Sequence, residues 1–144
     1  MHDKESQMNL LLAIVLSVSV LLLLGLGAML AGVAYAPISS AYSTVSQDFG
    51  KLRHIVSLLT PGLVFASSAS GYARAITATV AAEIPVVLTQ GSIDGRRCLA
   101  FDDLLAPPAS AAVDAAHAAV GPDTIAKFLF TPGSPKAPKA VIPT

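Results

Sequence analysis

From Ser6 through Gln47 the chain carries no charged residue, and inside that window lies LLLAIVLSVSVLLLLGLGAMLAGVAYA, Leu10 to Ala36. A helix rises about 1.5 Å per residue, so this run would reach roughly 40 Å, against about 30 Å for the hydrocarbon core of a bilayer. A soluble helix so long and so uniformly apolar is unusual in a chain of 144 residues. The run predicts a transmembrane helix over 10–36, behind a short polar N-terminus at 1–9. AYA at 34–36 has the small-x-small form of a signal-peptidase site. The run, however, far exceeds an h-region of about 7–15 residues. Lys4 is flanked by Asp3 and Glu5, and Pro37 would follow the cut. The expectation is an uncleaved, single-pass anchor. The nearer basic residue is Lys4, while Lys51 and Arg53 lie farther off, which places the N-terminus in the cytoplasm and exports the C-terminal part.

Ala28, Gly32 and Ala36 recur every four residues, with Gly25 one turn earlier. Small residues at that spacing let helices approach closely in lipid, so this face is expected to pack on another membrane helix.

Beyond the run, Tyr35, Ile38, Tyr42, Val45, Phe49, Leu52, Val56 and Leu59 step by three and four. That is a heptad seam, with Ser40, Gln47 and His54 on the opposite face. It predicts an amphipathic helix over 37–60 whose seam is a partner interface. Asp48 and Arg53 have the g-to-e spacing of an interhelical ion pair that would set register. Aromatic residues at three of the four a positions, together with Gly50, argue against a simple two-stranded coil and for packing on a larger surface or on the chain's own later segments. TPG at 60–62 ends the helix.

Residues 61–130 read as a small extramembrane region. Residues 55–73 lack charge, which raises a second crossing or a re-entrant loop, but Pro61, Gly62 and the serines weaken it. Tyr72, Ile76, Val80 and Ile84 form a stripe that predicts a helix near 72–84, stopped by Pro85. Two apolar runs flank IDGR, which predicts a β-hairpin over 86–101. Arg96 and Arg97 are expected to pair locally with Asp102 and Asp103, a docking site for a carboxylate or lipid phosphate being the alternative. An alanine-rich helix is predicted near 108–120, closed by Gly121 and Pro122. The tail 131–144 is proline-rich. Pro132, Pro135 and Pro138 recur every third residue, with Lys136 and Lys139 one residue on, so it is either flexible or an extended arm on an acidic partner. The fold class expected is therefore mostly α, with this hairpin as its β element.

Chemistry is sparse. A single cysteine, Cys98, excludes an intrachain disulfide and a cysteine-based zinc site, and it reads as a small buried hydrophobe. Asp114 and His117 share a helix face but lack a third ligand. A haem or chlorophyll ligand could come only from His54 or His117. No phosphate-binding glycine loop or nucleophile elbow occurs. With 12% charged residues and zero net charge, no basic patch suits nucleic acid. The expectation is no enzyme, no cofactor and no metal. The layout is similar to that of type IV pilin-like subunits, but the leader and the glutamate that mark them are not found in this sequence, and no function follows.

The reading that results is a non-catalytic accessory or structural subunit of a membrane complex, with other membrane protein subunits and lipid as partners. The alternatives are a self-assembling structural protein of a virion, filament or small pore, and an anchored sensor or ligand-binding domain.

Overall fold

The computed structural model describes residues 2–106, 108, 110–130 and 138–142, with the side chains of residues 2, 3, 10, 13, 14 and 17 left aside. The elements in order are α1 (His2–Leu30), α2 (Ala41–Thr44), α3 (Gly50–Leu59), β1 (Val64–Ala66), α4 (Ala69–Thr79), β2 (Val86–Leu88), β3 (Cys98–Ala100), α5 (Phe101–Leu105), α6 (Ala111–Ala118), β4 (Leu129–Phe130) and β5 (Ala140–Val141). They fall into two units. The first comprises Met1–Ala36, Ser110–Phe128 and Ile142–Thr144, the second Pro37–Ala109 and Leu129–Val141.

In the first unit α1 takes the polar N-terminal residues as its opening turns and ends at Leu30, short of the Ala36 expected from sequence. The stop is local chemistry. Gly32 adopts φ +66°, its amide donates to Met29 O at 3.1 Å, and Val33 N donates to Ala28 O at 2.8 Å. These are the two bonds of a Schellman cap, which needs a left-handed residue and so favours glycine. The chain then runs extended: Tyr35 N donates to Ala126 O, and Phe128 N to Tyr35 O at 2.9 Å. Among the described residues no helix is long and apolar enough to cross a membrane. This corrects the transmembrane helix expected over 10–36, and with it the expectations of an integral, single-pass membrane protein, of a cytoplasmic N-terminus and of an exported C-terminal part. The apolar run is longer than the helix it forms, because residues 31–36 are turn, extended chain and bridge.

The second unit corrects the mostly-α expectation. β1, β2 and β3 form a three-stranded parallel sheet in that order, pairing Val64 with Val86 and Val86 with Cys98. β1–α4–β2 is thus a βαβ unit. Central β2 is covered on both faces, Val86 and Val87 being 0% exposed and Leu88 2%. That explains the unalternated VVL, since a parallel strand buried on both sides reads as a continuous apolar run. The hairpin expected over 86–101 is therefore wrong in direction. Its two strands exist, and Arg96 N does close a turn on Ile93 O at 3.2 Å, but β3 returns parallel to β2.

α4 lies between two apolar layers. Toward the sheet, Ile76 and Val80 join Ala66, Val86, Leu88 and Ile93, with Tyr72, Ile84 and Val56 packed against them. Toward α2 and α3, Ala75 meets Phe49 and Leu52, with Ile38, Tyr42, Val56 and Ala78 around them. The 72–84 stripe is thus a core stripe, although the helix spans 69–79. Ser68 caps it by accepting from Gly71 N at 3.3 Å. On the other side of the sheet Phe101 meets Phe65 edge-on at 6.2 Å.

The continuous helix expected over 37–60 is two helices. Ser46 Oγ accepts from Phe49 N at 3.0 Å and donates to Asp48 Oδ1 at 3.2 Å, while Gly50 N donates to Asp48 Oδ1 at 3.1 Å. Short polar side chains offer the backbone an alternative to helical bonds, and here they take it. Phe49 is left at φ 54°, and α3 starts at Gly50. Residues 55–73, raised as a second crossing, are the end of α3, β1 and the start of α4. β4 and β5 pair antiparallel, Leu129 opposite Val141.

Candidate functional site: the exposed face of the first helix

The most unusual surface lies on α1. Leu11, Leu12, Val15, Leu16, Leu22 and Leu23 are each more than half exposed, Leu11 at 63% and Leu22 at 60%. A helix that is apolar on every side is normally buried, and a large exposed apolar patch marks an interaction site. The sequence had located this run; its exposure within the chain's own fold is what the structure adds.

The expected small-residue face has other work. Gly25 is buried beneath Tyr35: a Cβ at residue 25 would stand 3.1 Å from the phenol ring. Gly32 and Ala28 build the helix cap described above, and Ala36 is half-buried. The alternating periodicity of small residues could not reveal this, because the ring that needs Gly25 comes from Tyr35, back across the cap.

The seam divides. Ile38, Tyr42, Phe49, Leu52 and Val56 are engaged in the second unit's own core. Leu59 and Tyr35 are half-buried, and Val45 is 71% exposed, turned out where α2 ends. Arg74 lies over the Phe49 ring at 5.1 Å, and Lys51 over Tyr42 at 6.0 Å. Asp48 and Arg53 are occupied within the chain. The Gly50 amide, then the Ser46 hydroxyl, hold the Asp48 carboxyl below its ordinary value, with Arg53 a lesser influence. The Arg53 guanidinium donates to Ala78 O at 2.6 Å.

Arg96 has a role that the sequence reading missed. Its Nη1 donates to Ala81 O at 2.8 Å, and its Nη2 to Val80 O and to Ile76 O. α4 has no basic residue in its last turn, so Arg96 and Arg53 arrive from elsewhere to satisfy its terminal carbonyls. The missing cation at that end was the one sequence signal for it. Asp102 and Asp103 instead occupy the first turn of α5, where negative charge suits the helix N-terminus.

The carboxyl ends of parallel strands are where open α/β sheets usually bind ligands. Here the polar groups of that edge are paired with one another: Ala69 N donates to Gln90 O at 2.9 Å, Thr89 Oγ1 to Ser67 O, and Gly71 N to Ser68 Oγ. In the first unit His117 Nδ1 lies 3.0 Å from Leu30 O, a terminal carbonyl of α1, so its ring serves the helix end rather than Asp114. A hollow of about 290 Å³ is lined by Met29, Gly32, Val120, Pro122, Thr124 and Ile125, and Thr124 Oγ1 is taken by Gly121 N. Among the described residues there is no group of three or more histidine, cysteine, aspartate or glutamate side chains placed to share a metal ion. Cys98 is half-buried and accepts from Ile93 N at 3.3 Å. Of the proline-rich arm, Pro132, Pro135 and Lys136 lie outside the described residues. Pro138 is buried and Lys139 exposed just before β5.

The chain matches no protein-family model and no curated protein.

Proposed function

We propose that this chain is a non-catalytic structural subunit that joins a larger protein assembly through α1. The single observation that supports this reading is the exposed apolar face of that helix, in a chain whose second unit carries a small, well-packed βαβ core. At about 25 cal/mol per Å², each 100 Å² of such surface that a partner covers would contribute on the order of 2.5 kcal/mol before the costs of association.

The test is the mass and composition of the native particle. Cross-linking in cells that express the chain at its natural level, followed by isolation and mass spectrometry, should give a particle containing more than one polypeptide. Leu22→Asp, in the middle of the exposed face, should release the chain from it. A lone 14.7 kDa species in the wild type would refute the reading.

A further inference from the structure

One segment of the second unit is tied to α4 at both of its ends. The connection from β2 to β3, residues 89–97, has no helix or strand of its own. At the N-terminus of α4, Ala69 N donates to Gln90 O at 2.9 Å, and Thr89 Oγ1 donates to Ser67 O. A Cβ on Gly91 would stand 3.1 Å from Ala69 Cβ, so the backbone lies directly on the helix there. At the C-terminus of α4, the Arg96 guanidinium donates to Ile76 O, Val80 O and Ala81 O. α4 has 11 residues and is about 16 Å long, while residues 90–96 reach at most about 25 Å when fully extended. The turn that Arg96 N closes on Ile93 O uses part of that reach, so the connection has little slack.

Midway along it, Ile93 is buried and belongs to the core cluster of Ala66, Ala69, Ile76, Val80, Val86 and Leu88. Its amide donates to Cys98 Sγ at 3.3 Å. Ser92, Asp94 and Arg97 are exposed. Gly91 at φ +78° and Gly95 at φ +72° stand on either side of Ile93, where glycine absorbs a large dihedral change at low cost. Such a segment can leave without parting the strands. Beyond it Val86 N still donates to Arg97 O, and the pairing of β2 with β3 starts at Val86 and Cys98. We propose that residues 89–96 form a latched strap, which lifts from α4 as one unit while the sheet stays closed. Arg96 is the latch, and lifting bares the apolar seat of Ile93 with the Cys98 thiol beside it. The two ends are coupled. The 93–96 turn joins the latch to Ile93, and once both are free the Gln90 bond must order a longer loose segment against its entropy.

Amide hydrogen exchange of the full-length chain, followed residue by residue by nuclear magnetic resonance, tests it. In the wild type the amides of Ala69, Ile93 and Arg96 should exchange through one shared opening that urea below the unfolding transition leaves unchanged. The amide of Val86 should exchange more slowly, through global unfolding. Arg96→Met should speed exchange at Ala69, at the far end of α4, by about tenfold or more, the loss expected for a hydrogen bond from a charged group, and at Ile93 by the same factor. Gly91→Ala, which forces a Cβ against Ala69, should in turn speed exchange at Ile93 and Arg96. Leu52→Ala, in the cluster on the other side of α4, should speed Val86 and leave the other three unchanged. The proposal is overturned if the three wild-type amides lack protection, differ from one another in urea dependence, or exchange only together with Val86. It is overturned equally if Ala69 is insensitive to Arg96→Met or Arg96 to Gly91→Ala. The wild-type result decides even where a variant fails to fold.

Discussion

Replacing Arg96 by methionine removes the guanidinium that closes the C-terminus of α4 while keeping most of the side chain's apolar stem. In the native structure that group donates to Ala81 O at 2.8 Å and also reaches Val80 O and Ile76 O. A hydrogen bond to a charged group is worth about 1.5–3 kcal/mol net when the site is sheltered. A cation at a helix C-terminus adds about 0.3–1 kcal/mol. Arg96 is half-buried, and its freed carbonyls recover some water, so the loss should be about 2–3 kcal/mol. Lysine keeps the charge but offers a point donor in place of a planar fork, and it should recover about half of that loss. The assay is urea unfolding followed by the near-ultraviolet dichroism of tyrosine, since the chain has three tyrosines and no tryptophan. With a slope of about 2 kcal/mol per M, Arg96→Met should lower the midpoint by roughly 1 M. A shift below about 0.5 kcal/mol would show that the helix end does not depend on this side chain. Lysine equal to arginine would show that charge alone matters and that the fork does not.

Thr60 ends α3 at φ 41°, a left-handed conformation costly for a β-branched residue, while its amide bond to Val56 O is made by the backbone. Thr60→Gly should therefore raise stability by about 1 kcal/mol in the same unfolding assay, and a loss would refute the strain argument. Leu88, 2% exposed in the central strand, should cost about 3 kcal/mol on truncation to alanine, read as a lowered thermal midpoint. Asp48 has a folded-state pKa below its ordinary value of 3.8, because the Gly50 amide and the Ser46 hydroxyl favour the carboxylate. A depressed pKa gives stability that is present above the unfolded value and lost as pH falls through the folded one. The stability difference between wild type and Asp48→Asn should thus shrink on acidification from pH 6 to below 3.8, and a gap constant across that range would contradict the assignment.

Much of the second unit was legible because its stripes are local. Tyr72, Ile76, Val80 and Ile84 repeat as a helix requires, and all four do face the sheet. The residues of the 35–59 seam are mostly core residues, yet the helix that should have carried them breaks. The reason is local: the Ser46 hydroxyl and the Asp48 carboxylate accept from the amides of Phe49 and Gly50 in place of helical carbonyls. The candidate site was half legible. The apolar run that forms α1 is unmistakable, whereas its helical limits hang on Gly32, one residue among several glycines.

By itself the sequence determined which stretches are apolar: the uncharged run within α1, the VVL of β2, and the stripes of α3 and α4. Transfer free energy is a property of side chains and their local spacing, so it can be read along the chain. Only the tertiary structure decided strand direction, which is set by where β3 can reach an open edge of β2 and not by the turn at 93–96. It alone brought Arg96 and Arg53 to one helix end, and Tyr35 onto Gly25, because those partners are far apart in sequence or lie across a cap. It decided, too, which apolar residues find cover within the chain and which, on α1, stay exposed.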